Sequence, residues 1–376
     1  MPDHPHKRPQ LFAGCAPGLE PLLFRELKQL NVGNANEEAG GVSFTGGPDT
    51  MARINLQSRI ADRILIRIGQ FTATHLTNLQ NAASELPFAD YVTARSTVVI
   101  NAICKKSRIY HSGAVAERVA NAIGSQVGLK KKPLCQQAPD HLVVNTVAVQ
   151  VRVIRDMVTV SVDSSGDHLH KRGYRIHVTE APLRETIAAA ALQFCGYTGE
   201  LPLVNPMCGS GTLAIEGALI AGRISPGSRR RFAFETWPSF DSDILTTEKE
   251  RAARFSRPSD TLIHASDISS SALDAAVHNA HTAGFKDRIS FEKLEISKLA
   301  LSQSPGLCIV NPPWGKRLAA VQSLYRQIGD QKKRHPDWQL CVIASDHRQA
   351  LETGIDFVNI SAAIPMGGVR IRFYLG

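Results

Sequence analysis

From about residue 183 to the end, short apolar runs alternate with stretches of helical periodicity, and this alternation constrains the fold more than any other feature of the chain. The apolar runs are Leu201 to Val204, Leu262 to Ala265, Leu307 to Val310 and Leu340 to Ala344. Strands buried on both faces read as unbroken apolar runs, and strands joined through helices lie parallel. The expectation for residues 183–376 is therefore a doubly wound α/β domain on a parallel sheet. Pro182 would open an Ala-rich helix at its entry, because proline is tolerated in a first helical turn.

The first half has a different rhythm. Leu19, Leu22, Leu23, Leu27 and Leu30 recur at helical spacing behind Pro17 and Gly18, and Gly40-Gly41 introduces a short strand at Val42 to Phe44. Ile64, Ile66 and Ile68 alternate, Val98 to Ile100 begins another strand, and Val115, Val119, Ile123 and Val127 form a helical stripe closed by Gly128. Two alternating valine runs, Val147 to Val153 and Val158 to Val162, flank Arg155-Asp156, which reads as a hairpin turn. The reading is a subdomain over 1–58, an α+β domain over 59–165 and a linker over 166–182.

Charge narrows the partners. Lys plus Arg number 43 against 34 Asp plus Glu, a net +9. The excess is spread over both halves, and such a chain suits a polyanion, because neutralising phosphates releases counterions. The seven cysteines include no C-x-x-C pair, so neither a disulfide framework nor a paired-cysteine zinc site is expected, and no metal is. No run of eighteen apolar residues or apolar leader occurs, so neither a membrane span nor secretion is expected, and the cytoplasm is the expected compartment. The oligomeric state stays open, with a monomer as the working expectation.

Three segments carry chemistry. Asn205-Pro206-Met207-Cys208-Gly209-Ser210-Gly211-Thr212 lies between an apolar strand and a helix, where glycines let the backbone approach a ligand at the helix N-terminus. Alone, this fits any adenosine cofactor. Asp267, after the second strand, could accept ribose hydroxyls or merely cap the next helix. Asn311-Pro312-Pro313-Trp314, after a third buried strand, is the most specific: an Asn-Pro-Pro-aromatic string arises by chance in about one such chain in several hundred. An exocyclic base amine is a poor nucleophile, because its lone pair is delocalised into the ring. Two acceptors, the Asn311 side chain and the Pro312 carbonyl, could hold its two N–H groups and aim the lone pair at an electrophile. The prolines stiffen the turn, and Trp314 offers a stacking face for a flipped base.

These motifs resemble those of the THUMP-containing RNA methyltransferases, and among them the bacterial 23S ribosomal RNA guanine-N2 methyltransferases. Leu11 to Ala13 with Gly18 to Glu20, Leu169 to Arg175, and Ala181 to Thr186 resemble further family signatures, so the likeness covers nearly the whole chain. It implies a ferredoxin-like subdomain, a THUMP domain that holds RNA, a Rossmann-like class I methyltransferase domain, and S-adenosylmethionine as cofactor. Carried over by position, Asn205 to Thr212 would line the methionine part of the cofactor. Asp267 with Ile268 would hold the ribose, Glu295 would sit near the adenine amine, and Asn311 to Trp314 would hold the target base, with Asn311 expected to touch the cofactor as well. The family usually has Asp where this chain has Asn205, a second Asp where it has Ser269, Asp where it has Glu295, and Tyr where it has Trp314.

Basic residues in the linker (Lys171, Arg172, Arg175), in the run Lys130-Lys131-Lys132 and in Arg229-Arg230-Arg231 are candidate RNA contacts, the last interleaved with Phe232, Phe234 and Trp237 as candidate stacking faces. The leading expectation is methylation of guanine N2 in 23S ribosomal RNA or another structured RNA. Alternatives are tRNA guanine-N2 methylation and adenine-N6 methylation of DNA or RNA. From other classes come an NAD-dependent oxidoreductase, for which Glu235 is the nearest acid at the required spacing, and an RNA-binding protein without activity.

Overall fold

The computed structural model describes residues 9–135, 145–177, 182–301, 305–313 and 318–376. The chain divides into two units. One takes in Phe24–Leu169 and Arg230–Glu250 with the strand Gln10–Gly14. The other takes in His170–Arg229 and Arg251–Gly376 with Cys15–Leu23.

The first unit is built on one seven-stranded sheet. Its elements are β1 (Gln10–Gly14), α1 (Glu20–Gln29), β2 (Gly33–Glu38), β3 (Gly41–Thr45), α2 (Pro48–Gln57), β4 (Arg63–Thr72), α3 (Leu76–Ser84), β5 (Thr97–Lys105), α4 (Ser112–Val127), β6 (Thr146–Ile154) and β7 (Met157–Asp163). The strand order is β2-β3-β1-β4-β7-β6-β5. All neighbours are antiparallel except β5 and β6. β4 pairs with β1 on one side and β7 on the other, so the two segments separated at residue 58 share one ladder. The valine alternation buries Val147, Val149, Val151, Val153, Val158, Val160 and Val162. Arg155 and Asp156 both adopt positive φ (51° and 64°), the conformation of a type I′ hairpin turn.

The second unit contains α5 (Glu185–Phe194), β8 (Leu203–Pro206), α6 (Thr212–Ala221), β9 (Ile263–Asp267), α8 (Ser270–Ala283), β10 (Ile289–Lys293), β11 (Leu307–Val310), α9 (Leu318–Arg334), β12 (Gln339–Ala344), α10 (His347–Leu351), β13 (Asn359–Ile360), β14 (Ile364–Met366) and β15 (Val369–Leu375), whereas α7 (Ser242–Ala253), between α6 and β9 in sequence, lies in the first unit up to Glu250. Its sheet runs β10-β9-β8-β11-β12-β15-β13. The first five strands are parallel, and β15 enters antiparallel beside β12. The expected Rossmann-like sheet is present, with an antiparallel edge added. Cys308, Val310, Leu340, Val342 and Tyr374 share a core with Tyr325 and Ile328 of α9.

Two expectations need correction. The helix after Pro182 begins at Glu185, with Arg184 as extended N-cap. The chain stays extended because Arg175 Nη2 donates to the Leu183 carbonyl (2.7 Å). Residues 230–250, expected within the catalytic domain, belong to the first unit: Phe234 N–H donates to the Ser164 carbonyl (3.2 Å) and Ser239 Oγ to the Asp90 carbonyl (2.6 Å). Among the described residues, no helix is long and apolar enough to cross a membrane.

Candidate active site

Because β10, β9, β8 and β11 are parallel neighbours, their carboxyl ends share one edge of the sheet. That edge brings together Asn205 to Thr212, Asp267 with Ile268, Glu295 and Asn311 to Pro313. Ligands of open α/β sheets bind in the crevice outside such ends. Trp314 lies outside the described residues.

The glycine-rich loop is pinned from β9 and α8. Cys208 N–H donates to the Ser266 carbonyl (2.9 Å), Gly209 N–H to Asp267 Oδ2 (2.9 Å) and Gly211 N–H to the Cys208 carbonyl (2.9 Å). Gly211 has φ +83°, and a Cβ there would come within 3.0 Å of Ala276 Cβ on α8. Glycine is required on both counts. Met207 also has positive φ (59°), which L-residues rarely adopt, so the loop is held against its local preference. Burial, reinforced by the Asp267 charge, pushes the Cys208 thiol up to about 12, so it stays protonated.

Asn205 is fully buried, and its amide explains the departure from Asp. Nδ2 donates to the Ile309 carbonyl of β11 (2.9 Å). The β8–β11 ladder registers Leu203 with Leu307 and Val204 with Cys308, so this side-chain bond prolongs it by one step. A carboxylate could not donate it. Asn205 Oδ1 is buried and has no hydrogen-bond partner among the described residues.

Asp267 is held from both oxygens, since Oδ1 accepts from Ser269 N–H (3.0 Å) while Oδ2 accepts from Gly209. The cap of α8 is Ser269, whose hydroxyl accepts from Ala272 N–H (3.3 Å), so Asp267 does not serve as the cap. Each carboxylate oxygen keeps a second lone pair for a hydroxyl donor. Ile268 beside it is 66% exposed, an apolar face left toward solvent. Glu295 is exposed at the end of β10 and accepts from Ser297 Oγ (3.4 Å). Asn311 Oδ1 is buried and has no hydrogen-bond partner among the described residues. Buried acceptors are nearly always paired, and these two carbonyl oxygens, on adjacent strands at one sheet edge, are left available to donors from outside the chain.

The basic residues separate into two groups, and several expected RNA contacts are overturned. Arg172 is 2% exposed and pairs with the fully buried Glu216 (3.5 Å), which also accepts from Tyr174 Oη (3.1 Å). Arg175 pairs with Glu185 (2.9 Å) and donates to Thr212 Oγ1 (2.9 Å). Arg230 donates to the carbonyls of Ser165, Asp167 and His168 (3.0, 2.6 and 2.6 Å). These guanidiniums are committed to internal partners and hold the linker in place. Arg229 donates to the Thr282 carbonyl (2.8 Å) while staying exposed. Phe232, Phe234 and Trp237 are buried, with Phe234 packed on Phe240 and Trp237 on Tyr91 (centroids 4.6 and 5.0 Å), so their faces are closed to bases. Glu235 accepts from Phe232 N–H (2.6 Å) and serves as a local cap within the first unit, which removes the acid an NAD site would need. Lys130, Lys131, Lys132 and Arg231 are exposed, and Lys171 is half-buried.

Residues 172–361 match the family described as RMKL-like, methyltransferase domain, and residues 10–65 match the RlmL ferredoxin-like domain. The chain belongs to the RMKL-like methyltransferase family. It is 34% identical, over 92% of its length, to the ribosomal RNA large subunit methyltransferase K/L of Methylococcus capsulatus, of which the match covers 48%. The K/L protein of Syntrophotalea carbinolica gives 34% over 92%, covering 50% of that protein, so the chain spans about half the length of these curated relatives. A candidate RNA methyltransferase of Synechocystis sp. is 32% identical over 96% of both chains. Among solved structures, a candidate methyltransferase complexed with SAH superposes with a TM-score of 0.87 at 28% identity, covering 98% of each chain. A predicted N6-adenine-specific DNA methylase from Listeria monocytogenes gives 0.86 at 31% identity, covering 98% of this chain and 97% of that one. Against this family background, the start of the match at residue 172 agrees with the buried anchoring of Arg172 and Tyr174.

Sequence reasoning missed Glu185, Glu216 and Asn279, three buried polar residues that tie the linker to the catalytic sheet. Their signal was present: Glu216 and Asn279 interrupt apolar or Ala-rich helical stretches, and Glu185 opens the Ala-rich helix α5, where a buried polar residue needs a partner.

Proposed function

We propose that this chain transfers the methyl group of S-adenosylmethionine to the exocyclic N2 amine of a guanine in 23S ribosomal RNA. The single observation that carries the reading is the buried, unpartnered Asn311 Oδ1 in an Asn-Pro-Pro turn at the carboxyl end of β11.

The residues present fit the cofactor. Asn205 Oδ1 is an orphaned acceptor suited to an ammonium, the loop at Gly211 has no room for a Cβ, and Asp267 keeps lone pairs for ribose hydroxyls beside the exposed Ile268. When bound, S-adenosylmethionine supplies a cationic, already electrophilic methyl group. The chain's part is orientation. Asn311 Oδ1 would accept one N–H of the amine and the Pro312 carbonyl the other, restoring electron density to nitrogen and aiming its lone pair. Positioning two reactants in this way is worth several kcal/mol, about 7 to 11 in well-oriented systems. The extra proton on the methylated amine leaves to water, so no general base is needed. The exposed Lys130 to Lys132 would contact phosphates, and a ribosomal RNA substrate would put the reaction in the cytoplasm.

A second reading is adenine-N6 methylation, since the same turn suits any exocyclic amine and one solved relative is named for that activity. The test is tritium transfer from labelled S-adenosylmethionine into unmethylated 23S RNA, tRNA and DNA, followed by nucleoside analysis. Label in 23S RNA released as N2-methylguanosine supports the first reading, and label in N6-methyladenine replaces it with the second.

A further inference from the structure

One side chain of α8 ties the linker directly to the glycine-rich loop. Asn279 of α8 is fully buried and uses both ends of its amide. Oδ1 accepts from Ile176 N–H (3.0 Å) and His177 N–H (3.1 Å), while Nδ2 donates to the His177 carbonyl (2.9 Å) and the Ser210 carbonyl (3.1 Å). All four hydrogen-bonding positions of the amide are filled, three by the linker and one by the glycine-rich loop. The Ser210–Gly211 peptide is thereby locked at both ends, because Gly211 N–H already donates to the Cys208 carbonyl. Ala276, one turn before Asn279 on α8, closes against Gly211. Arg175 makes a parallel connection from the same linker to Thr212, the residue that ends the loop.

We infer that Asn279 is a positioning residue for the cofactor: it sets the orientation of the Ser210–Gly211 peptide and makes the linker segment Ile176–His177 a working part of the cofactor site. The inference rests on the reading of that loop as the S-adenosylmethionine site. Asn279 would act through that peptide. Removing its donors would leave two buried carbonyls unpaired and let the peptide rotate, at a cost of the order of one buried hydrogen bond, which is about a tenfold change in affinity.

The test measures the dissociation constant for S-adenosylhomocysteine by titration calorimetry, with thermal unfolding alongside, on the full chain. Asn279→Asp preserves shape and both acceptor bonds but removes both donors. The expected result is a folded protein that binds S-adenosylhomocysteine about tenfold more weakly, with the KM for S-adenosylmethionine raised and the KM for RNA unchanged. His177→Pro removes one linker N–H at an exposed position and leaves α8 and the loop intact. It is expected to weaken binding severalfold, and it decides the matter if Asn279→Asp does not fold. Wild-type affinity in a folded Asn279→Asp, or in His177→Pro where that variant does not fold, overturns the inference, as does a rise in both KM values together. Failure of the wild-type chain to bind S-adenosylhomocysteine overturns instead the assignment of the loop.

Discussion

The two sheets treat buried polar groups differently. In the first unit, several buried groups pair with one another, while Thr146 Oγ1 and Trp237 Nε1 have no hydrogen-bond partner among the described residues. Asn55 donates to Ser164 Oγ (2.8 Å) and accepts from Ser165 Oγ (2.6 Å), Glu26 accepts from Ser58 Oγ (2.6 Å), and Asp163 is held by Arg63. At the carboxyl edge of the second sheet, Asn205 and Asn311 each keep a buried oxygen with no hydrogen-bond partner. Closed networks fix a backbone, whereas an unpartnered acceptor at the crevice of a parallel sheet is retained because something outside the chain completes it. The contrast is one of place: the unpartnered oxygens of Asn205 and Asn311 sit where the crevice of a parallel sheet opens.

The contrast can be broken from either side. The largest effect is expected in the first unit. Burial raises the Asp163 carboxyl and the adjoining Arg63 opposes that shift. Arg63→Met would strand the carboxylate with the Ser165 N–H (2.8 Å) as its main remaining partner. Breaking a buried pair costs about 3 to 5 kcal/mol, so denaturant unfolding should show a loss of that size while the folded fraction binds S-adenosylhomocysteine normally. A comparable loss of cofactor affinity in the folded protein would erase the distinction between the units.

Asp267→Ala should do the reverse. It removes the acceptor for Gly209 and Ser269 N–H and the proposed ribose contact, and calorimetry should find S-adenosylhomocysteine binding weakened by about 2 to 3 kcal/mol. Smaller still is the effect of replacing Lys130, Lys131 and Lys132 with alanine. RNA affinity should fall, and the slope of log affinity against log salt should shrink by about one for each phosphate that a lysine no longer neutralises. An unchanged slope would move the RNA surface elsewhere. The smallest effect concerns Cys208, whose thiol is pushed up to about 12. The thiolate is the reactive form, so alkylation at pH 8 followed by peptide mapping should leave Cys208 unmodified in the native protein while the exposed Cys135 reacts.

Much of this was legible in the sequence because strand-then-turn motifs are local. Val204, Ala265 and Val310 are buried by the parallel sheet their flanking patterns imply, and the loops that follow sit where the topology requires. What escaped was nonlocal. β13, β14 and β15 owe their places to antiparallel pairing with β12 or with one another, which no short pattern announces. Charge misled in the linker, where Arg172 and Arg175 read as phosphate contacts and in fact neutralise Glu216 and Glu185, acids 44 and 10 residues further on. The stretch 230–250 misled because its aromatics, which follow an arginine run as in a base-stacking surface, fill a core in the other unit.

The central claim is that Asn311 orients the target amine and does not bind the cofactor. Asn311→Ala should bind S-adenosylhomocysteine with wild-type affinity in calorimetry and lose at least about a hundredfold in single-turnover methyl transfer, as when one oriented hydrogen-bond partner is removed from a catalytic site. Wild-type transfer by Asn311→Ala would contradict the account, and so would lost transfer that merely follows lost cofactor binding.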